Sequence, residues 1–121
     1  MPKTVQVHVG ETLESAGQRF LKGWRRAEQG ELTAENAELH IGFADWETMV
    51  RTLSPKRLEL LRHLHRTPAK NIWALATALG RDYRRVHEDV AALEAAGLLE
   101  RDREGVRADY GTFHVAMTVA L

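Results

Sequence analysis

Val5, Val7 and Val9 alternate with Gln6 and His8, a period of two that places the valines on one face of a strand short enough to lie at a sheet edge. From Thr12 the period lengthens. Leu13, Ala16, Gly17, Phe20, Leu21, Trp24 and Ala27 recur every three or four residues, which predicts an amphipathic helix ending near Gly30, with Lys22, Arg25 and Arg26 on its other side. After a polar connection from Gly30 to Ala37, Leu39, Ile41 and Phe43 alternate with Glu38, His40 and Gly42 and predict a second strand. Residues 1–43 therefore read as strand, helix, strand.

Four helix starts follow, each with a residue whose side chain can accept from a free first-turn amide. Asp45 precedes Trp46, Met49, Val50 and Leu53 at helical spacing. Ser54 precedes Pro55, whose missing N–H costs nothing at a first helical position, and Leu58, Leu61 and Leu64 supply the stripe up to Thr67-Pro68. Asn71 precedes Ile72, Leu75, Ala76 and Leu79, closed by Gly80, the residue best suited to a left-handed end. Asp82 precedes Tyr83, Val86, Val90, Leu93 and Ala96, an inner face that runs to Gly97. A hairpin is predicted next: Leu98 to Arg101, a turn at Asp102-Arg103-Glu104-Gly105, then Val106, Ala108 and Tyr110. Phe113, Val115, Met117, Val119 and Leu121 keep the strand period and could pair with the first or second strand.

At 121 residues, 44% hydrophobic and 28% charged, the chain has the length and composition of one compact domain with a short appendage. It contains no cysteine, which removes disulfides, thiolate zinc sites and Cys nucleophiles. Apolar runs are far shorter than the roughly 20 residues that span a bilayer, and no signal-peptide pattern opens the chain, so a cytoplasmic location without membrane contact is expected. Net charge is zero, but it is segregated. From Arg51 to Arg85 nine Lys or Arg face only Glu59 and Asp82, a local net charge of +7 balanced by −7 elsewhere. Between Glu28 and Val50 the acids Glu28, Glu31, Glu35, Glu38, Asp45 and Glu47 meet no Lys or Arg. Two surfaces with different partners are implied.

A short helix, a turn through Gly80 and a second helix with basic outer positions match the helix-turn-helix arrangement, whose second helix enters the DNA major groove. Ala76, Gly80 and Val86 stand at i, i+4 and i+10: a small residue for close approach, a turn residue that tolerates positive φ, and a branched apolar plug. With the following hairpin as a wing, the expected fold class is α+β, a winged helix-turn-helix domain over 44–121 with an N-terminal strand-helix-strand extension over 1–43. Helical rotation leaves Arg81, Arg84, Arg85, His87 and Glu88 outward or lateral. Arg81, Tyr83, Arg84, Arg85, His87, Lys70, Arg101, Arg103 and Arg107 are the candidate DNA contacts. Arg84 is the base reader, since arginine donates two hydrogen bonds to guanine, and Arg85, Lys70, Arg101, Arg103 and Arg107 serve phosphates. Glu88, Asp89, Asp102 and Glu104 interleave with these cations and would repel a DNA backbone.

Other clusters point to no chemistry. His63 and His65 lie about 200° apart around a helix and cannot ligate one metal from the same face. His87-Glu88-Asp89 lacks the second histidine of a zincin motif, and no Ser, Cys or carboxylate pair has a partner at catalytic spacing, so no enzymatic activity, metal or cofactor is expected. Trp24, Trp46 and Trp73 fall on or near apolar stripes and read as core or interface aromatics.

The runs 53–61, Ala74-Leu75-Ala76, 79–90 and 93–99, with Arg81-Asp82-Tyr83 to His87 the most distinctive stretch, resemble the MarR-like winged-helix regulators. More narrowly they are similar to the TumA-type antitoxins of TumE/TumA toxin–antitoxin systems. The likeness is strongest over 53–110 and extends weakly to Phe20-Leu21, Trp24 to Glu28 and Phe43 to Trp46. It implies a homodimer that represses its own promoter through the winged helix and neutralises a cognate toxin with another surface. The basic middle would then serve double-stranded DNA, and the acidic stretch with the first strand and helix would serve dimerisation or toxin binding. The alternative from another class is a protein-interaction scaffold that neutralises a partner without reading DNA.

Overall fold

The computed structural model describes residues 3–10, 13–30 and 39–117. The connection carrying Glu31, Glu35 and Glu38, and the last positions of the final expected strand, Val119 and Leu121, lie outside the described residues. The chain is an α+β protein with the element order β1 (Lys3–Val9), α1 (Leu13–Glu28), β2 (Leu39–Phe43), α2 (Trp46–Thr52), α3 (Pro55–Arg66), α4 (Ile72–Leu79), α5 (Tyr83–Ala95), β3 (Glu100–Asp102), β4 (Gly105–Arg107) and β5 (Tyr110–Met117). Two compact units divide it, Met1–Met49 with Thr112–Leu121, and Val50–Gly111. This division differs from the expected 1–43 and 44–121 in that residues 44–49 and most of β5 belong to the N-terminal unit.

In the first unit a three-stranded sheet has the order β2-β1-β5. β1 is thus the central strand, not an edge, because the distant β5 supplies its second neighbour. β1 and β2 run parallel with Val5 opposite Leu39 and Val7 opposite Ile41, a pairing that requires a crossover, and α1 supplies it. Val5, Val7 and Val9 are buried. On the opposite face His8 Nε2 and His40 Nδ1 lie 3.0 Å apart. On the apolar side of α1 the described side chains Phe20, Leu21 and Trp24 are all exposed.

The second unit holds α3, α4, α5 and the β3–β4 hairpin around Leu60, Leu64, Leu75, Val86, Val90, Leu93, Leu98 and Val106, all essentially without solvent contact. Local chemistry sets each helix boundary. Asp45 Oδ1 accepts from the Thr48 amide at 2.8 Å, Ser54 Oγ from Arg57 N at 3.3 Å, Asn71 Oδ1 from Ala74 N at 2.8 Å and Asp82 Oδ2 from Arg85 N at 3.2 Å. α4 ends at Gly80 with φ +64°, and Arg81 N donates back to Ala76 O at 3.0 Å. The α3 stripe is rotated from the expected one: Leu60 joins Leu61 and Leu64 in the core, and Leu58 is half-buried.

The hairpin is fixed to the connection between α3 and α4 by two backbone hydrogen bonds, Ala69 N to Val106 O at 2.9 Å and Val106 N to Ala69 O at 2.8 Å. Gly105 makes this approach possible. Its φ is +138°, and a Cβ there would overlap the carbonyl oxygen of Ala69. His65 Nδ1 lies 3.1 Å from Ala108 O and ties the end of α3 to the chain after β4. No helix among the described residues is long and apolar enough to cross a membrane.

Candidate nucleic-acid interface

The site is assembled from the turn between α4 and α5, the outer face of α5 and the hairpin. Val86 on α5 and Ala76 on α4, helices that pack on each other, are both buried, Val86 fully. Since α5 turns about 100° per residue, burying Val86, Val90 and Leu93 leaves Arg84 and Glu88 at the outermost positions, Tyr83 and His87 on one flank and Arg85 on the other. Arg84 is 89% exposed, and its nearest acid, Glu88, stands 4.0 Å away in a loose i,i+4 pair. Arg85, Arg103 and Lys70 are exposed and have no acidic partner among the described residues.

Three of the expected contact arginines are held elsewhere. Arg81 is not outward. Its side chain is 17% exposed and donates through Nη2 to Asp89 Oδ2 at 2.8 Å, while Nη1 is buried without an acceptor. Asp89 simultaneously accepts from Arg57 Nε at 3.0 Å, and Arg57 Nη1 reaches the carbonyls of Arg51 and Thr52 at 3.3 and 3.2 Å. One carboxylate thereby ties α5 to α3, to the α4–α5 turn and, through Arg57, to the end of α2. Asp89 is consequently turned away from the outer face of α5, and the repulsion expected from it there does not arise.

On the hairpin, Arg107 donates to Asp102 at 2.6 Å and Glu100 at 2.8 Å, with Asp109 at 4.0 Å. Its hydrogen bond, and that of the Glu104 amide, hold the Asp102 carboxyl below the usual carboxylate range, and the same acids raise Arg107. Arg101 pairs with Glu94 at 3.3 Å. The hairpin therefore offers a phosphate one unengaged cation, Arg103 at its tip.

A cavity of about 390 Å³ opens between the N-terminal ends of α4 and α5 and the hairpin, lined by Lys70, Trp73, Tyr83, His87, Arg101 and Asp102 among others. Trp73 is 67% exposed, which leaves the interface and not the core reading of it, and Tyr83 is 49% exposed, which corrects its placement on the inner face of α5. Trp24 and Trp46 are exposed as well, so none of the three tryptophans is in the core. The signal for Trp73 was available: it stands about 100° around α4 from Ile72, off the stripe of Ile72, Leu75, Ala76 and Leu79. Among the described residues no group of three His, Cys, Asp or Glu is placed to hold a metal ion.

These elements coincide with the part of the chain that a family model recognises. The match to the HVO_A0114 family spans residues 52–115, over half of the sequence. The chain belongs to the HVO_A0114 family. The family match covers α3, α4, α5, the hairpin and most of β5, and leaves α1 and the β1–β2 pair outside it. Comparison with curated proteins and with solved structures finds no match.

Proposed function

We propose that this member of the HVO_A0114 family is a sequence-specific DNA-binding transcriptional regulator built on a winged helix-turn-helix. In this reading α4 and α5 are the helix-turn-helix, α5 enters the major groove, and the β3–β4 hairpin is the wing. The observation that carries it is the exposure of Arg84 and Arg85 on α5, where Asp89 is turned inward onto Arg57 and Arg81 and Glu88 is the acid left on the outer face, in a loose pair with Arg84. Arg84 reads a base edge, and Arg85, Lys70 and Arg103 hold phosphates, which contribute affinity without sequence information. One such module covers too little DNA for selective binding, so two copies on a near-palindromic site in its own promoter complete the proposal.

The test is fluorescence anisotropy of the purified chain with its own upstream DNA and with a scrambled duplex, at two salt concentrations. Preferential binding that Arg84→Ala abolishes supports the reading; equal or absent binding to both duplexes overturns it. The exposed Phe20, Leu21 and Trp24 on α1 favour a second reading, a surface for a protein partner such as the toxin that the resemblance to antitoxins implies. Co-purification with the product of the neighbouring reading frame, lost in a Phe20→Ser/Trp24→Ser variant, is its expected result.

A further inference from the structure

Three aromatic side chains face one groove, and one of them, Tyr83, is next in sequence to Arg84, an arginine whose side chain is 89% exposed. Tyr83 and His87 stand one turn apart on α5, their ring centroids 6.0 Å apart and inclined at 45°. Trp73 reaches the same cavity from α4. Tyr83 and Trp73 are each about half or more exposed, so this apolar surface is presented to solvent instead of to the core. The rim carries Lys70 without an acid partner, Arg101 paired with Glu94, and Asp102 already neutralised by Arg107.

We propose that Tyr83, His87 and Trp73 form a thymine-selective subsite, in which the aromatic groove receives the C5-methyl group of a thymine next to the base read by Arg84. The inference rests on α5 entering the major groove. Around the helix, Arg84 lies about 100° from Tyr83 and about 60° from His87, so the aromatics face the base step on the hairpin side of the one that Arg84 reaches. Along the major-groove edges of the four bases the thymine methyl is the one apolar group; guanine, adenine and cytosine present nitrogen and oxygen. An aromatic face gains apolar contact from that methyl, whereas cytosine carries only a hydrogen at the same ring position. The His87 ring nitrogens and the Tyr83 hydroxyl can donate to thymine O4, which adds a polar check on the same base.

The experiment starts by selecting preferred duplexes from a random pool with the full chain. The selected duplex is then made twice, with thymidine and with deoxyuridine, which lacks only the C5-methyl, and anisotropy is measured for wild type, Tyr83→Ala and Trp73→Ala. Circular dichroism checks that both variants are folded, as the exposure of the replaced rings leads one to expect. Wild type should bind the thymidine duplex about threefold to tenfold more tightly, the size of one buried methyl contact. In the variants that ratio should fall towards one. Equal affinity of wild type for both duplexes overturns the subsite and leaves the rings packing on deoxyribose, with the DNA reading intact. A ratio that persists in both variants also overturns it, because the methyl then acts through duplex shape. If no sequence is enriched, the thymine subsite and the DNA-binding reading fall together.

Discussion

Arg81 donates to Asp89 at 2.8 Å from the turn before α5 to its second turn, and Asp89 accepts Arg57 from α3 with its other oxygen. The pairing makes Arg81 a strut of the α4–α5 turn. Neither arginine has solvent enough to replace a lost carboxylate, since both side chains are about one-fifth exposed or less. Asp89→Ala should therefore lower unfolding free energy in urea by about 2–3 kcal/mol, between the value of a single charged hydrogen bond and that of breaking a fully buried pair. Arg81→Ala should destabilise in the same assay while leaving the DNA affinity and salt slope of the folded fraction unchanged, the opposite of Arg85→Ala.

Two glycines with positive φ make different demands. Gly80 has open space around its missing Cβ, so Gly80→Ala should cost only the left-handed backbone penalty, about 1–2 kcal/mol. At Gly105 the new Cβ meets the Ala69 carbonyl, and strain adds to overpacking. Gly105→Ala should cost about 2–4 kcal/mol in thermal or urea unfolding, and the ranking of the two variants is the check.

Arg107 is neutralised inside the hairpin, which makes Asp102 a brake on DNA affinity. Asp102→Asn combined with Glu100→Gln retains an amide oxygen for the Glu104 N–H, now accepted at 2.9 Å, but removes the two closest charges that hold Arg107. Affinity for any duplex should rise, and the slope of log K against log salt should steepen by up to about 0.9, one additional phosphate contact. An unchanged slope would show that Arg107 cannot reach DNA even when released.

The hairpin also has an acid-side signature. Because Arg107 and the Glu104 amide depress the Asp102 pKa in the folded state, the unfolded chain binds its proton first as pH falls. The stabilisation is complete above the unfolded value of about 3.9 and is lost as pH drops through the folded value. Carbon-detected NMR titration of the Asp102 carboxyl should show the low midpoint, and Arg107→Ala should move it up.

Tyr110 gives the alkaline counterpart. Burial raises its pKa, and Glu100 and Asp109 reinforce the shift. The unfolded chain then loses its phenolic proton first, so stability should decline as pH rises from about 10 towards the folded midpoint. Tyrosinate absorbance of Tyr110→Phe beside wild type reads this directly.

Features set within four residues were legible in the sequence. Ser54, Asn71 and Asp82 accept from amides three positions on, and Gly80 ends α4, because each needs only its own turn. Arg81 was misplaced because its orientation depends on a carboxylate eight residues ahead that also binds Arg57, 32 residues behind it. Periodicity identified the apolar side of α1 but not whether anything covers it, and Phe20, Leu21 and Trp24 are exposed. The position of β1 was illegible for a similar reason: strand order is decided by β5, at the far end of the chain. At the candidate site the exposed arginines of α5 followed from helical rotation, whereas the neutralisation of Arg107 required the folded hairpin.

The attachment of the hairpin through Ala69 and Val106 uses main-chain atoms alone. That attachment is therefore independent of which side chains the tip carries, provided that Gly105 stays small, while Val106 in the core and Arg101 on Glu94 anchor the strands. Arg103 and Glu104 can be exchanged without re-aiming the element that bears them, which gives the tip a mutational freedom that the Arg57–Asp89–Arg81 junction lacks.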